Sequence, residues 1–300
     1  MPNPTRDSTA GRVFNDLRNL ARRDGRATQS LMLAYTLERF LFRLSRSSEG
    51  GEHFVLKGGL LLAQFGARRA TQDIDLLGRL FSNDEVEVIR RINAVAGLHF
   101  DDGVLFDPTG TRTAAIRTDE EYAGLRLTMP ATIGRAQLKL QLDISFGDPI
   151  TPRARRIDYP QQFEAEPFQL LGYPLETVIA EKLTTAIDLG VTNTRDRDYA
   201  DLYRLVCLHD FERTTVRDAI ERTAAHRGIG LRSLSGVIGD LAVRRQVSYA
   251  SWRRKQEADR DAYPLLFSDI CATVISFADP LLESVAGPNR WEAAAQRWRA

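Results

Sequence analysis

The stretch LKGGLLLAQFGARRATQDIDLLG, residues 56–78, places a glycine pair between two apolar runs and two acids inside the second run. FVLKG reads as a short buried strand, Gly58-Gly59 as a tight turn, LLLAQFGA as a helix and TQDIDLLG as the next strand. On that second strand Asp73 and Asp75 are two residues apart. They therefore share one face, with Cα atoms roughly 6.5–7 Å apart, while Ile74 and Leu76 enter the core.

A third acid belongs to a similar pattern. In AQLKLQLDISFGD, Leu138, Leu140, Leu142 and Ile144 fall on one face of a strand, and Lys139, Gln141, Asp143 and Ser145 on the other. Asp143 on that outward face could join Asp73 and Asp75. Converging carboxylates raise one another's pKa unless a cation compensates, and a hard divalent ion such as Mg²⁺ is the natural partner. A glycine turn that opens a helix exposes backbone N–H groups to a phosphate and lets it approach closely. A D-x-D pair or a Gly-Gly turn alone is usually just an edge strand or a plain turn. Their combination puts a phosphate cradle beside a cation site.

Outward from this segment, residues 1–27 are polar and Arg-rich, with a short helix expected near residues 13–23. SLMLAYTLERFLFRLSRS predicts a helix ending at SSEGGE, and SNDEVEVIRRINAVAG another, capped by Ser82. Short alternating runs dominate residues 98–160. From Tyr173 onward the pattern is helical, with helices near 174–189, 195–208, 214–226, 232–243, 265–277 and 289–299. The expectation is an α+β fold: a mixed-sheet lobe over residues 1–165, with N-terminal helices, and a helical lobe over 166–300.

Composition narrows the function. At 300 residues and 43% hydrophobic content the chain can bury a sizeable core. It has no run near the roughly 18 apolar residues of a membrane span and no apolar leader, so a soluble protein of the cytoplasm is expected. Cys207, Cys271 and four scattered histidines argue against a disulfide framework or a zinc site. Net charge is +1, and of 41 basic residues only four are lysine. Two of these, Lys57 and Lys182, lie in the segments richest in candidate chemistry. In NTRDRDYADLYRL, Thr194 is placed to cap a helix, and Asp198 and Asp201 stand three apart near Arg195 and Arg204, the spacing of an ion-pair ladder.

G-G followed after 13 residues by D-I-D resembles the first motif of the DNA polymerase β-like nucleotidyltransferase superfamily. More narrowly, LERFLFRLSRS, FVLKGGLLL, RRATQDIDLLG, YPLETVIAEKLTTAIDLG and NTRDRDYADLYRL resemble the AbiEii/AbiGii family of nucleotidyltransferase toxins, to which the mycobacterial MenT toxins are related. The resemblance runs from about residue 31 to residue 208. It implies that Gly58 and Gly59 hold the triphosphate, that Asp73, Asp75 and Asp143 bind metal, and that Asp143 deprotonates or orients the attacking hydroxyl. It further implies that Lys182 contacts nucleotide phosphates, that Asp198 is the acid of the final motif, and that Thr71 lies where a hydroxyl can touch a phosphate. Lys57 and Arg69 are expected near the same phosphates.

The expected function is accordingly a toxin of a type IV, abortive-infection-like toxin–antitoxin system. It would use Mg²⁺, or Mn²⁺ in its place, to transfer nucleotides from an NTP to RNA, with the 3′ end of tRNA as the leading acceptor, and so block translation. An antitoxin encoded nearby is the expected partner. Arg clusters at 68–69, 153–156, 195–197, 244–245 and 253–255, several near Tyr159, Tyr199 or Trp252, suit an RNA acceptor. The alternatives are nucleotidylation of a protein or small molecule, or an inactive nucleotide- or RNA-binding relative.

Overall fold

The computed structural model describes residues 5–67, 71–116, 124–163, 166–283 and 287–299. The chain divides into two compact units. The first comprises Met1–Gln64, Arg68–Gly147 and Arg155–Gly172, and the second Phe65–Ala67, Asp148–Ala154 and Tyr173–Ala300.

In the first unit α1 (Thr9–Arg23) starts at Ser8, whose hydroxyl accepts the Gly11 N–H. Its buried face, Phe14, Leu17 and Ala21, recurs at helical spacing and packs with Leu31 and Tyr35 of α2 (Thr28–Arg46). Arg43 of α2 is nearly fully buried and is satisfied by both carboxylate oxygens of Asp102 and by the Leu98 and Val104 carbonyls. α4 (Glu85–Ala96) is capped by Asp84, not by Ser82; the Ser82 hydroxyl accepts the Asp84 N–H and so sets up the cap.

Among the described residues, eight strands form one mixed sheet: β1 (Phe54–Lys57), β2 (Ile74–Gly78), β3 (Val104–Phe106), β4 (Arg112–Ile116), β5 (Gly124–Ile133), β6 (Ala136–Phe146), β7 (Arg155–Tyr159) and β8 (Phe168–Gly172). The order is β3-β5-β6-β2-β1-β8-β7, with β4 also paired to β5. β2 runs parallel to β6 and β1 parallel to β8; the other pairs are antiparallel. Ile74, Leu76, Leu142 and Ile144 are essentially inaccessible to solvent, as the alternation requires. At about 1.5–3 kcal/mol for each such side chain, this inner face outweighs the cost of crowding acids on the outer one.

The segment after Gly58 is less regular than the expected helix. One turn, α3 (Gly58–Leu61), passes directly into a 3₁₀ turn over Leu62–Phe65. β8 is a further departure, since residues 168–172 complete the sheet of the first unit.

The second unit contains α5 (Leu175–Leu189), α6 (Asp196–Leu208), α7 (Arg213–His226), α8 (Leu234–Ile238), α9 (Leu241–Arg254) and α10 (Phe267–Leu282). The single helix expected near 232–243 is split between α8 and α9, because Gly239 turns the chain at φ +50°. The helix expected at 289–299 is a hairpin of β10 (Arg290–Glu292) and β11 (Arg297–Arg299), joined to β9 (Phe211–Glu212). Trp291 and Trp298 are cross-strand partners, and each indole donates to a backbone carbonyl, of Val206 and of Phe277 respectively. These contacts override the helical propensity of the intervening alanines. No helix among the described residues is long and apolar enough to cross a membrane.

Candidate active site

The register of four strands produces a single row of charges. Arg126 on β5 stands opposite Asp143 on β6, Asp143 opposite Asp75 on β2, and Asp75 opposite Lys57 on β1. Cross-strand partners project to the same face of a sheet, so the row reads plus, minus, minus, plus. Asp73 precedes β2 and adds a third acid beside this row.

Asp75 carries the electrostatic cost. Burial pushes its pKa up, Asp73 pushes the same way, Lys57 opposes, Asp143 adds repulsion, and a hydrogen bond from the Gly59 backbone opposes again; the carboxyl rises from 3.8 to about 6. Gly58 is part of the same arrangement. It adopts φ +66°, and a Cβ there would stand 1.8 Å from Asp75 Oδ2. The glycine turn therefore admits the Asp75 carboxylate against the backbone, and its Gly59 N–H points at that carboxylate.

Other groups are fixed around the row. The Thr71 hydroxyl donates to Asp73 Oδ1 at 2.9 Å and so orients that acid. The Lys57 ammonium lies 3.4 Å from Ser145 Oγ, on the outward face of β6. Arg126 grips Asp143 with two parallel bonds, Nε to Oδ1 at 2.7 Å and Nη2 to Oδ2 at 2.6 Å. Neither Arg126 nor Ser145 stands out as a candidate in the sequence alone. The signal for Arg126 is present, however: the two-residue turn Gly134-Arg135 joins β5 to β6, and counting back equally from it pairs Arg126 with Asp143.

A divalent cation fits this chemistry in part. Asp73 and Asp75 offer hard carboxylate oxygens whose mutual repulsion a cation would relieve. Both oxygens of Asp143 are committed to Arg126, and among the described residues no three acidic, histidine or cysteine side chains are grouped as metal donors.

A second polar cluster lies in the second unit. Lys182 on α5 donates to Asp198 Oδ1 at 2.7 Å and to Asp201 Oδ2 at 2.8 Å, both on α6. Burial pushes the Asp198 carboxyl up, but the Lys182 ammonium, aided by Arg195 and Arg197, outweighs it and leaves the pKa below the usual carboxylate value. Asp201, 1% exposed, is thus a partner of Lys182, while Arg204 lies over the Tyr263 ring. Asp196 is clamped by both nitrogens of an Arg245 fork. Thr194 does not cap α6; its N-cap residue is Arg195, whose N–H donates to Asn193 Oδ1.

The structure thus brings Lys57, Gly58, Gly59, Thr71, Asp73, Asp75 and Asp143 into the first unit, and Lys182 and Asp198 into one cluster of the second. Arg69 lies outside the described residues. Two aromatics expected to serve nucleic acid are instead core: Tyr159 stacks on Phe168, and Tyr199 packs edge-on against Phe267. Arg153, Arg155, Arg156, Arg195, Arg197, Arg254 and Lys255 are exposed.

Comparison with known proteins identifies the family. The family model described as nucleotidyl transferase AbiEii toxin, type IV TA system, matches residues 39–297. Among solved structures, MenT4, a nucleotidyltransferase toxin from Mycobacterium tuberculosis, superposes with a TM-score of 0.54 at 16% identity, covering 90% of each chain. JHP933 from Helicobacter pylori aligns over 82% of this chain and 90% of its own, at 15% identity and a TM-score of 0.45. The first of these likenesses speaks to the fold alone. No curated protein matches in sequence.

Proposed function

Because the chain belongs to the AbiEii nucleotidyltransferase toxin family, we propose that it uses the outward face of β2 and β6 to transfer a nucleotidyl group from an NTP to an RNA acceptor, the 3′ end of tRNA. The observation that carries this reading is the Asp143–Asp75 pair with Asp73 beside it, held at a glycine turn that only glycine can make. In the reaction an acceptor hydroxyl oxygen bonds to the α-phosphorus, the bond to the bridging oxygen breaks, and pyrophosphate leaves with that electron pair.

Asp73 and Asp75 would hold Mg²⁺, or Mn²⁺ in its place. Such an ion, when bound, neutralises phosphate charge and makes a bound hydroxyl more acidic. Thr71 keeps Asp73 oriented, and Gly58 leaves space for Asp75. Lys57 supplies positive charge beside Asp75. Asp143, once free of Arg126, would join Asp73 and Asp75 at the cation site and take the hydroxyl proton. Lys182 and Asp198 are assigned to the nucleotide phosphates by family resemblance, and Lys182 is already held by two carboxylates.

The exposed arginines suit an RNA backbone, which favours RNA over a protein or small-molecule acceptor. As a member of a type IV toxin family the protein implies a cognate antitoxin, and we place both in the cytoplasm. The test is incubation with Mg²⁺, total RNA and each α-labelled NTP in turn. Label in the tRNA band that Asp73→Ala abolishes supports the reading. Label on polypeptide or a small solute would replace the acceptor, and binding of Mg²⁺-nucleotide without pyrophosphate release would mark an inactive relative.

A further inference from the structure

We propose that Arg126 is an exchangeable counter-ion of Asp143, occupying that carboxylate until an incoming triphosphate draws the guanidinium away and leaves Asp143 to a second divalent cation. This rests on reading Asp73, Asp75 and Asp143 as the cation site.

Three observations converge on it. First, the guanidinium takes both oxygens of Asp143, so the acid cannot ligate a metal while the pair persists. Second, Arg126 is 43% exposed and, among the described residues, hydrogen bonds only to Asp143. Among the described residues it is therefore not held by a wider network, unlike Arg43, which is buried with four partners. Third, Arg126 ends the charged row and also feels the fields of Asp73 and Asp75, so it helps to neutralise the whole acidic group.

The exchange follows from charge and geometry. Arginine binds carboxylate and phosphate by the same planar fork, so a triphosphate offers it an equivalent partner. A half-exposed ion pair contributes little net stability, which keeps the exchange inexpensive. Cation and triphosphate binding then become linked: each favours the state in which Arg126 has left Asp143. A purely structural cross-strand pair would also bridge β5 and β6, but its removal would not alter metal affinity in this pattern.

Mn²⁺ binding to the full chain, followed by electron paramagnetic resonance with and without inorganic tripolyphosphate, tests the proposal without requiring turnover. Wild type, Arg126→Gln, Arg126→Lys and Asp73→Asn are compared, with thermal melts to verify folding. Without tripolyphosphate, Arg126→Gln should bind Mn²⁺ about two- to fivefold more tightly than wild type, the scale expected for loss of one half-exposed ion pair. With saturating tripolyphosphate that difference should shrink. Arg126→Lys, which keeps the charge but loses the fork, should fall between, and it carries the test if the glutamine variant does not fold.

Unchanged Mn²⁺ affinity in the Arg126 variants, with affinity lost in Asp73→Asn, would overturn the counter-ion role and leave the cation site standing. Equal Mn²⁺ affinity in wild type and Asp73→Asn would overturn both.

Discussion

Gly58 and Asp75 occupy each other's space: a methyl group on Gly58 would stand 1.8 Å from Asp75 Oδ2 and 2.4 Å from Cγ. The glycine is also held at φ +66°, where an L side chain is strained. Gly58→Ala should therefore cost about 1–3 kcal/mol from the backbone alone and should displace Asp75 as well. We expect a lower melting temperature together with at least hundredfold weaker nucleotidyl transfer. A variant that melts lower yet transfers normally would remove Asp75 from the reaction.

Asp75→Asn should separate stability from function. The folded-state pKa of about 6 lies above the ordinary 3.8, so protonated Asp75 stabilises the metal-free protein at low pH. That contribution is complete below about pH 4 and is lost as pH rises through about 6, leaving a deficit on the order of 1–3 kcal/mol at neutral pH. The asparagine variant lacks this loss. Chemical denaturation at pH 4.5 and 7.5 should show the variant gaining on wild type as pH rises, while transfer is abolished. A constant difference across this range would contradict the raised pKa.

Cation affinity should follow the same group. Mn²⁺ competes with the Asp75 proton, so binding should weaken by about tenfold per pH unit below pH 6 and level off above it. Titrations in metal-free buffer between pH 5 and 8 would show a flat profile if Asp75 were not a ligand.

Lys182→Ala and Asp198→Asn should differ in severity. The first leaves Asp201, 1% exposed, without its ammonium, and breaking a buried pair from one side costs about 3–5 kcal/mol. The second leaves the Lys182–Asp201 bond at 2.8 Å intact and should cost about 1 kcal/mol. Equal melting temperatures for the two variants would show that Asp201 does not depend on Lys182.

If RNA is the acceptor, affinity should fall with added salt, with a logarithmic slope of about −0.7 per phosphate neutralised on a single strand. Replacing both Arg254 and Lys255 with alanine should make that slope shallower. A flat salt response would count against an RNA acceptor.

Much of this arrangement was legible in the sequence because its period is local. The alternation from Leu138 to Ile144 fixes the outward face that carries Asp143, and the two-residue spacing of Asp73 and Asp75 does the same for the acids near β2. What escaped depends on partners distant in the chain. Arg126 acquires meaning only through the hairpin register, and Ser145 only through Lys57. The Trp291–Trp298 hairpin is hidden in the sequence because AAAQ favours a helix locally, whereas the tryptophans find carbonyls on α6 and α10. Tyr159 and Tyr199 are core although arginines flank them in the chain, because proximity to arginine in sequence carries no information about burial.

The most direct test of the central claim is transfer of label from an α-labelled NTP, with Mg²⁺ and total RNA, by wild type and by Asp73→Ala. Label should enter the tRNA band with wild type and fall by at least about hundredfold in the variant, the scale expected when a charge-stabilising group of an active site is removed. Undiminished transfer by Asp73→Ala would contradict the assignment of these carboxylates, and label confined to protein or solute would contradict the RNA acceptor.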